Sequence, residues 1–290
     1  MNARPHLAER AVWALRDQAR LTEAGTPRPA LPAGPRPVMP ERSNAPPVSL
    51  AILERAGLAE RPSGGGRSRI AEELALVRQQ VLRGVPVLPA EDPRCAQVVL
   101  VTSARPGEGK SFISLNLAAS IADGASTRVL LVDVDGRRGG LGDALGLKDE
   151  PGLRALAAAP MLHPATMMRT TEIANLSVMT GNGPGGDTPP GEAIADAVRR
   201  IAAEVPDHLI VLDMPPALAT SDAGVLAPLA GQVVMVVLAQ RTQRSEVEAA
   251  LDVLDACPEI RLLLNRAGLT LNDSFGAQRG YGGYGSSNHT

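Results

Sequence analysis

At 290 residues with 44% hydrophobic content, the chain has the material for one α/β domain of ordinary size and further segments besides. Its net charge of −2 gives no global basic field, which argues against nucleic acid as a main partner. The two cysteines, Cys95 and Cys257, form no spaced pair or ligand cluster, so they read as reduced thiols rather than a disulfide or a zinc site.

Residues 1–20 are polar and charged, unlike a signal peptide, and residues 1–24 read as a short charged helix. The eight prolines from Pro27 to Pro47 deny both helix and sheet, which predicts a disordered or polyproline-like linker. A brief amphipathic stretch follows over 48–60, with Leu50, Ile52, Leu53 and Leu58, and Gly64-Gly65-Gly66 forms a flexible joint. The spacing of Ile70, Leu74, Val77 and Val81 predicts a helix over 70–82. From there strand-like and helical segments alternate. Strands are expected at 98–102, 128–133, 176–179, 208–213, 232–238 and 260–265; helices at 111–122, 192–203, 221–229 and 243–254.

Continuous apolar strands between helices imply a mostly parallel sheet with helices on both faces, a P-loop NTPase-like α/β fold. The expected organisation is a low-complexity, largely disordered region over 1–68, a P-loop domain with its leading helix over 69–273, and a flexible tail over 274–290. The longest apolar runs, such as 233–239, fall short of the ~20 residues that span a bilayer, so a membrane role is expected to come through a partner.

Ligands of such sheets bind at the carboxyl ends of the strands, and three motifs sit there. The first is Ala104-Arg105-Pro106-Gly107-Glu108-Gly109-Lys110-Ser111, between a strand and a helix. Its backbone N–H groups can wrap phosphate oxygens, with Lys110 reaching the β- and γ-phosphates and Ser111 reaching Mg²⁺. Ala104 stands where the common pattern has its first glycine, but the Gly-Lys-Ser core is intact. The second motif, Asp133-Val134-Asp135-Gly136-Arg137, puts paired carboxylates beside the phosphates, where only a cation would offset their charge. The third, an apolar strand ending in Asp213-Met214-Pro215-Pro216, has the form of a Walker B element whose Asp holds Mg²⁺ or its water. A single strand-end Asp is common as a turn cap; three such motifs in order are not.

Together these motifs resemble the bacterial tyrosine kinases of the capsular and exopolysaccharide type, whose pattern runs [ST]-x-x-P-x-x-G-K-[ST], D-x-D-x-R and D-x-P-P. Here they are Ser103 to Ser111, Asp133 to Arg137 and Asp213 to Pro216, and the similarity runs from about residue 48 to 270. The segment Ser49-Leu50-Ala51-Ile52-Leu53-Glu54-Arg55-Ala56 looks most like the branch associated with exosortase-linked systems. The resemblance implies an ATP- and Mg²⁺-dependent autokinase that phosphorylates tyrosines in its own C-terminal tail and regulates exopolysaccharide synthesis. Nucleotide contacts fall on Arg105, Pro106, Gly107, Glu108, Gly109, Lys110, Ser111 and Phe112, and Asn265, with Arg266, reads either as an adenine contact or as a polar turn. Lys110, Asp133 and Asp135 become the catalytic set, one of the two Asp residues accepting the tyrosine proton; Ser111, Asp133, Asp135 and Asp213 become the metal set. An inner-membrane polysaccharide co-polymerase is the implied activator, self-association is expected, and the chain would be cytoplasmic and peripheral to the inner membrane through that partner.

The tail carries an independent indication. Tyrosine is normally a core and interface residue, yet the only tyrosines, Tyr281 and Tyr284, sit among Gly and Ser within ten residues of the end, where a flexible chain can bring them to an active site. The bland alternative is a low-complexity tail with two tyrosines by accident. The chain also departs from the family pattern. Ala75 replaces the first Arg of the association motif that Glu72 and Arg78 otherwise fit, and Gly139 stands where a proline is common. A non-kinase ATPase switch of the partition or division-site type, and an inactive nucleotide-binding scaffold, are the competing readings. Arg105-Pro106 counts against the first, and the intact Lys110, Ser111 and Asp residues against the second.

Overall fold

A computed structural model describes residues 45–61, 68–124, 127–183 and 189–267. The expected N-terminal helix, most of the Pro-rich linker, the glycine joint and the tail with Tyr281 and Tyr284 lie outside the described residues. The described residues belong to one compact unit.

The first folded piece lies inside the region expected to be disordered. Helix α1 (Leu50–Arg55) starts at Ser49, whose side chain accepts the Ile52 N–H. Val48, Leu53 and Leu58 are buried in the same apolar cluster as the helix that follows the P-loop. Val48 bridges Thr171, donating its N–H to the Thr170 carbonyl at 2.9 Å and accepting from Glu172 at 2.9 Å. Residues 45–61 are therefore part of the P-loop domain, and the boundary expected at 69 falls inside the folded unit. The reason is burial: three apolar side chains of a short amphipathic stretch find a core only after the chain has folded back.

Helix α2 (Arg69–Arg83) is capped by Ser68 and buries Leu74 and Val81. Strand β1 (Cys95–Ser103) then leads through the loop into helix α3 (Lys110–Gly124). Ten of the α3 side chains are buried, because the helix lies between the sheet and α2 and is apolar on every side. β2 (Arg128–Asp133), α4 (Leu141–Ala144), α5 (Leu153–Ala158), β3 (Arg169–Thr170) and β4 (Leu176–Met179) follow, and then α6 (Gly191–Glu204), β5 (His208–Asp213) and α7 (Asp222–Leu226). The chain continues with β6 (Ala230–Leu238), α8 (Arg244–Val253) and β7 (Ile260–Asn265).

The helix expected over 221–229 stops at Leu226 and tightens into a 3-10 turn, Ala227–Leu229, at Pro228, which has no N–H to continue the ladder. The short α4, α5 and β3 carry too few residues to show a period in the sequence.

The sheet has seven strands in the order β3-β4-β2-β5-β1-β6-β7, parallel except for β3 against β4. Alternate β1 residues feed opposite layers: Val98 and Leu100 join the cluster with α6 and α7, while Val99 and Val101 join the cluster with α3. Both clusters are built almost wholly from Val, Leu, Ile, Ala and Met, as a 2% aromatic content requires. Because β1, β2 and β5 lie side by side in parallel, Ser103, Asp133 and Asp213 meet at one edge of the sheet. No helix among the described residues is long and apolar enough to cross a membrane.

Candidate functional site

The loop between β1 and α3 depends on two glycines with left-handed backbones, Gly107 (φ 83°) and Gly109 (φ 98°). A Cβ on Gly109 would also stand 2.2 Å from the Asn265 Nδ2, so the close approach of β7 to the loop requires glycine. Asn265 uses that approach to donate to the Glu108 carbonyl at 2.8 Å. The Glu108 side chain turns inward and is buried. Its Oε2 accepts the Arg105 N–H at 2.9 Å, and its Oε1 accepts the Thr242 hydroxyl. The Ser103 hydroxyl donates to the Arg105 carbonyl at 2.8 Å. The loop is thus held in shape by its own carboxylate and by the β6–α8 connection.

Lys110 opens α3, and its ammonium is buried, 3.0 Å from Asp135 Oδ2 and 3.5 Å from the Ser111 hydroxyl. Arg137 Nε reaches the same Asp135 oxygen at 3.2 Å. Asp133 is turned away from solvent. Its two oxygens accept the Gly136 and Gly142 N–H groups at 3.0 and 2.9 Å, and burial pushes its carboxyl above the usual range against those bonds.

Asp213 is fully buried at the end of β5. The Ser114 hydroxyl donates to its Oδ1 at 3.0 Å, while Oδ2 has no hydrogen-bond partner. Burial, reinforced by the Asp133 charge and opposed by Lys110, pushes its carboxyl up to about 7. An orphaned buried carboxylate oxygen is costly unless a ligand or water completes it. Among the described residues no three His, Cys, Asp or Glu side chains gather as a protein-built metal cage. One buried carboxylate near a serine hydroxyl fits instead a small hard cation that keeps its waters and takes its other ligands from phosphate.

The structure brings together Gly107, Glu108, Gly109, Lys110, Ser111, Asp133, Asp135, Asp213 and Asn265. It separates two of the expected contacts from the site through their side chains. The Arg105 guanidinium is 65% exposed and paired with Glu246 at the start of α8. The Phe112 ring packs into the α3 cluster, within 3.6 Å of where a Cβ on Gly57 would stand. Their backbones remain part of the loop. Arg241 and Arg244 behave as a solvated helix start, with Arg244 paired to exposed Glu248.

Sequence reasoning missed Ser114, Thr242 and Arg154. Ser114 was findable as a hydroxyl one turn after Lys110 in the helix that follows the P-loop. Arg154 donates to the Asp135 and Gly136 carbonyls at 2.9 and 3.2 Å, bracing the acidic loop from α5. Thr242 gave no local signal. Arg78, placed by the sequence in a subunit-association motif, donates to the Ser120 carbonyl of its own chain at 2.9 Å.

No protein-family model matches the chain. Against curated proteins it is 32% identical over 199 residues to tyrosine-protein kinase wzc of Salmonella typhimurium, covering 65% of this chain and 25% of that one. It is 29% identical over 188 residues to tyrosine-protein kinase YwqD of Bacillus subtilis, covering 61% of this chain and 76% of that one. The chain spans a quarter or less of the length of the first relatives it matches. The kinase domain of Escherichia coli tyrosine kinase ETK shares its fold, with a TM-score of 0.58 at 23% identity over 76% of this chain and 83% of that domain. In sequence the chain is similar to bacterial tyrosine-protein kinases, and its P-loop sheet has the fold of a solved kinase domain of that kind.

Proposed function

We propose that the protein is an ATP-dependent tyrosine autokinase that uses Mg²⁺ and phosphorylates Tyr281 and Tyr284 of its own tail. The observation that carries this reading is the Lys110 ammonium, buried and held 3.0 Å from Asp135 while the neighbouring Asp213 keeps an unpartnered oxygen. Both groups are stored in arrangements that a metal–nucleotide complex would relieve. The loop N–H groups and the α3 N-terminus hold the phosphates. Lys110 moves its charge from Asp135 to the transferring phosphoryl oxygens. Mg²⁺ would neutralise phosphate charge beside Ser111 and Asp213.

The tyrosine oxygen attacks the γ-phosphorus, its bond to the ADP oxygen breaks, and the phenolic proton passes to a carboxylate. Asp135 suits that role better than Asp133, because its side-chain partners, Lys110 and Arg137, both sit on Oδ2, while both oxygens of Asp133 are bound to backbone amides. Most of the rate enhancement then comes from positioning and charge neutralisation.

The setting belongs to the same proposal. The kinase works at the cytoplasmic face of the inner membrane, self-associates, and is activated by the cytoplasmic segment of a polysaccharide co-polymerase. The exosortase-linked branch rests on residues 49–56, which dock on the domain as helix α1. Purified protein is incubated with Mg²⁺ and ATP, with and without such a segment, and phosphate is mapped by peptide mass spectrometry beside a Lys110→Ala control. Phosphate on Tyr281 or Tyr284 that disappears in the variant is the expected result. ATP turnover without phosphotyrosine under both conditions would overturn the kinase reading.

A further inference from the structure

Beside the site, a cleft of about 510 Å³ opens between the acidic loop after β2 and the start of α5. Gly136 and Arg137, the two residues that follow Asp135 in the chain, are part of its lining. Four of its lining side chains are cationic, Arg137, Arg138, Lys148 and Arg154, against two carboxylates, Asp143 and Asp149. The wall is built rather than loose. Arg154 is fixed by two carbonyls of the acidic loop, and the Asn182 amide donates to the Leu147 and Lys148 carbonyls at 3.0 and 2.8 Å. Asp143 is engaged by the Gly139 N–H at 2.7 Å. Arg137 and Arg154 also brace the acidic loop of the nucleotide end, whereas exposed Arg138 and Lys148 serve the cleft alone.

We propose that this cleft is a phosphotyrosine-binding subsite that holds the protein's own tail once Tyr281 or Tyr284 carries phosphate. The proposal rests on the autokinase reading for the origin of that phosphate. Charge complementarity selects the occupant. The stretch 272–290 carries one Asp and one Arg, so the cleft has no electrostatic preference for it before phosphorylation. Each phosphate adds about −1.5 to −2 charges and three acceptor oxygens suited to Arg and Lys. Reach is sufficient within a single chain. Tyr281 lies fourteen positions beyond Ala267, a stretch that spans up to about 46 Å when extended. The strands β2 and β7, which end on the same side of the sheet, are four neighbours apart, or about 19 Å. A phosphate held in the cleft also keeps the second tyrosine, three residues away, within about 10 Å along the chain.

The test uses full-length protein carrying Lys110→Ala, Tyr281→Phe and Tyr284→Phe, so that it neither makes nor bears phosphate. Synthetic fluorescent peptides of sequence 272–290, unphosphorylated or phosphorylated at Tyr281, are titrated by anisotropy. The phosphopeptide is expected to bind at least about tenfold more tightly, and Arg138→Ala with Lys148→Ala is expected to bring the ratio down to about twofold or less. Lys148→Glu alone, at an exposed position, repeats the test should the double variant melt early. Equal binding of the two peptides, or a preference that survives these variants, overturns the proposal. So does inorganic phosphate that competes at the phosphopeptide's own concentration, which would make the cleft a simple anion site. Because the phosphate is introduced chemically, tail binding stands or falls apart from the kinase reading.

Discussion

Glu108 in the P-loop and Asp213 at the end of β5 are both buried carboxylates at the nucleotide end of the sheet, and they differ in what completes them. Glu108 has a donor on each oxygen, the Arg105 N–H and the Thr242 hydroxyl. Asp213 has Ser114 on one oxygen and nothing on the other. A buried polar group with all partners present stabilises the fold, whereas one left short marks a place where something binds. The P-loop rim is thus a structural frame, and the floor beneath it is a site waiting for charge.

The largest expected effect breaks the floor. Lys110→Ala removes the buried ammonium stored against Asp135, and tail phosphorylation is expected to fall at least about 10²- to 10³-fold, read by phosphotyrosine mass spectrometry. Asp213→Asn should separate function from stability: phosphorylation falls, yet the nucleotide-free protein gains stability at neutral pH. The folded carboxyl is pushed up to about 7 from an ordinary 3.8. Between those values the folded state holds a proton that the unfolded state has lost. Stability of the free protein therefore declines as pH rises from 4 to 7 and levels off above, by an amount on the order of a few kcal/mol. Thermal melts of metal-free protein across that range should show the decline in the parent and a flatter profile in the variant. A parent that grows more stable as pH rises would refute the contrast between the two carboxylates.

Smaller effects sharpen the frame. Glu108→Ala strands the Arg105 N–H and the Thr242 hydroxyl and should cost about 1–3 kcal/mol in urea unfolding, with weaker nucleotide binding. Smallest is Arg105→Ala. Its ion pair with Glu246 is exposed on the arginine side, so stability should change by less than about 1 kcal/mol. A large loss of nucleotide affinity in that variant would place the guanidinium on the phosphates after all.

Much of this was legible in the chain. Strands 128–133, 176–179, 208–213 and 260–265 appear with the bounds their apolar runs suggested. Lys110, Asp135 and Asp213 meet because each lies at or just beyond a strand end, or opens a helix, at the same edge of a parallel sheet. The docking of residues 45–61 was not legible, because Val48 and Leu53 become core only through Thr171 and α3, far along the chain. Nor were the roles of Thr242, which lies 134 residues from its carboxylate partner, and Arg154, 19 residues from the carbonyl it braces.

By itself the sequence determined the local geometry. Gly107 and Gly109 permit a loop no other residues would allow, and continuous apolar runs demand a sheet covered on both faces. Only the tertiary structure decided which polar groups are satisfied. It turned Glu108 inward and Arg105 outward, sank Phe112 into the α3 cluster, and left Asp213 with one bare oxygen. The reason is that the cost of a buried charge is set by partners that come from distant segments, and those partners exist only once the sheet has closed around them.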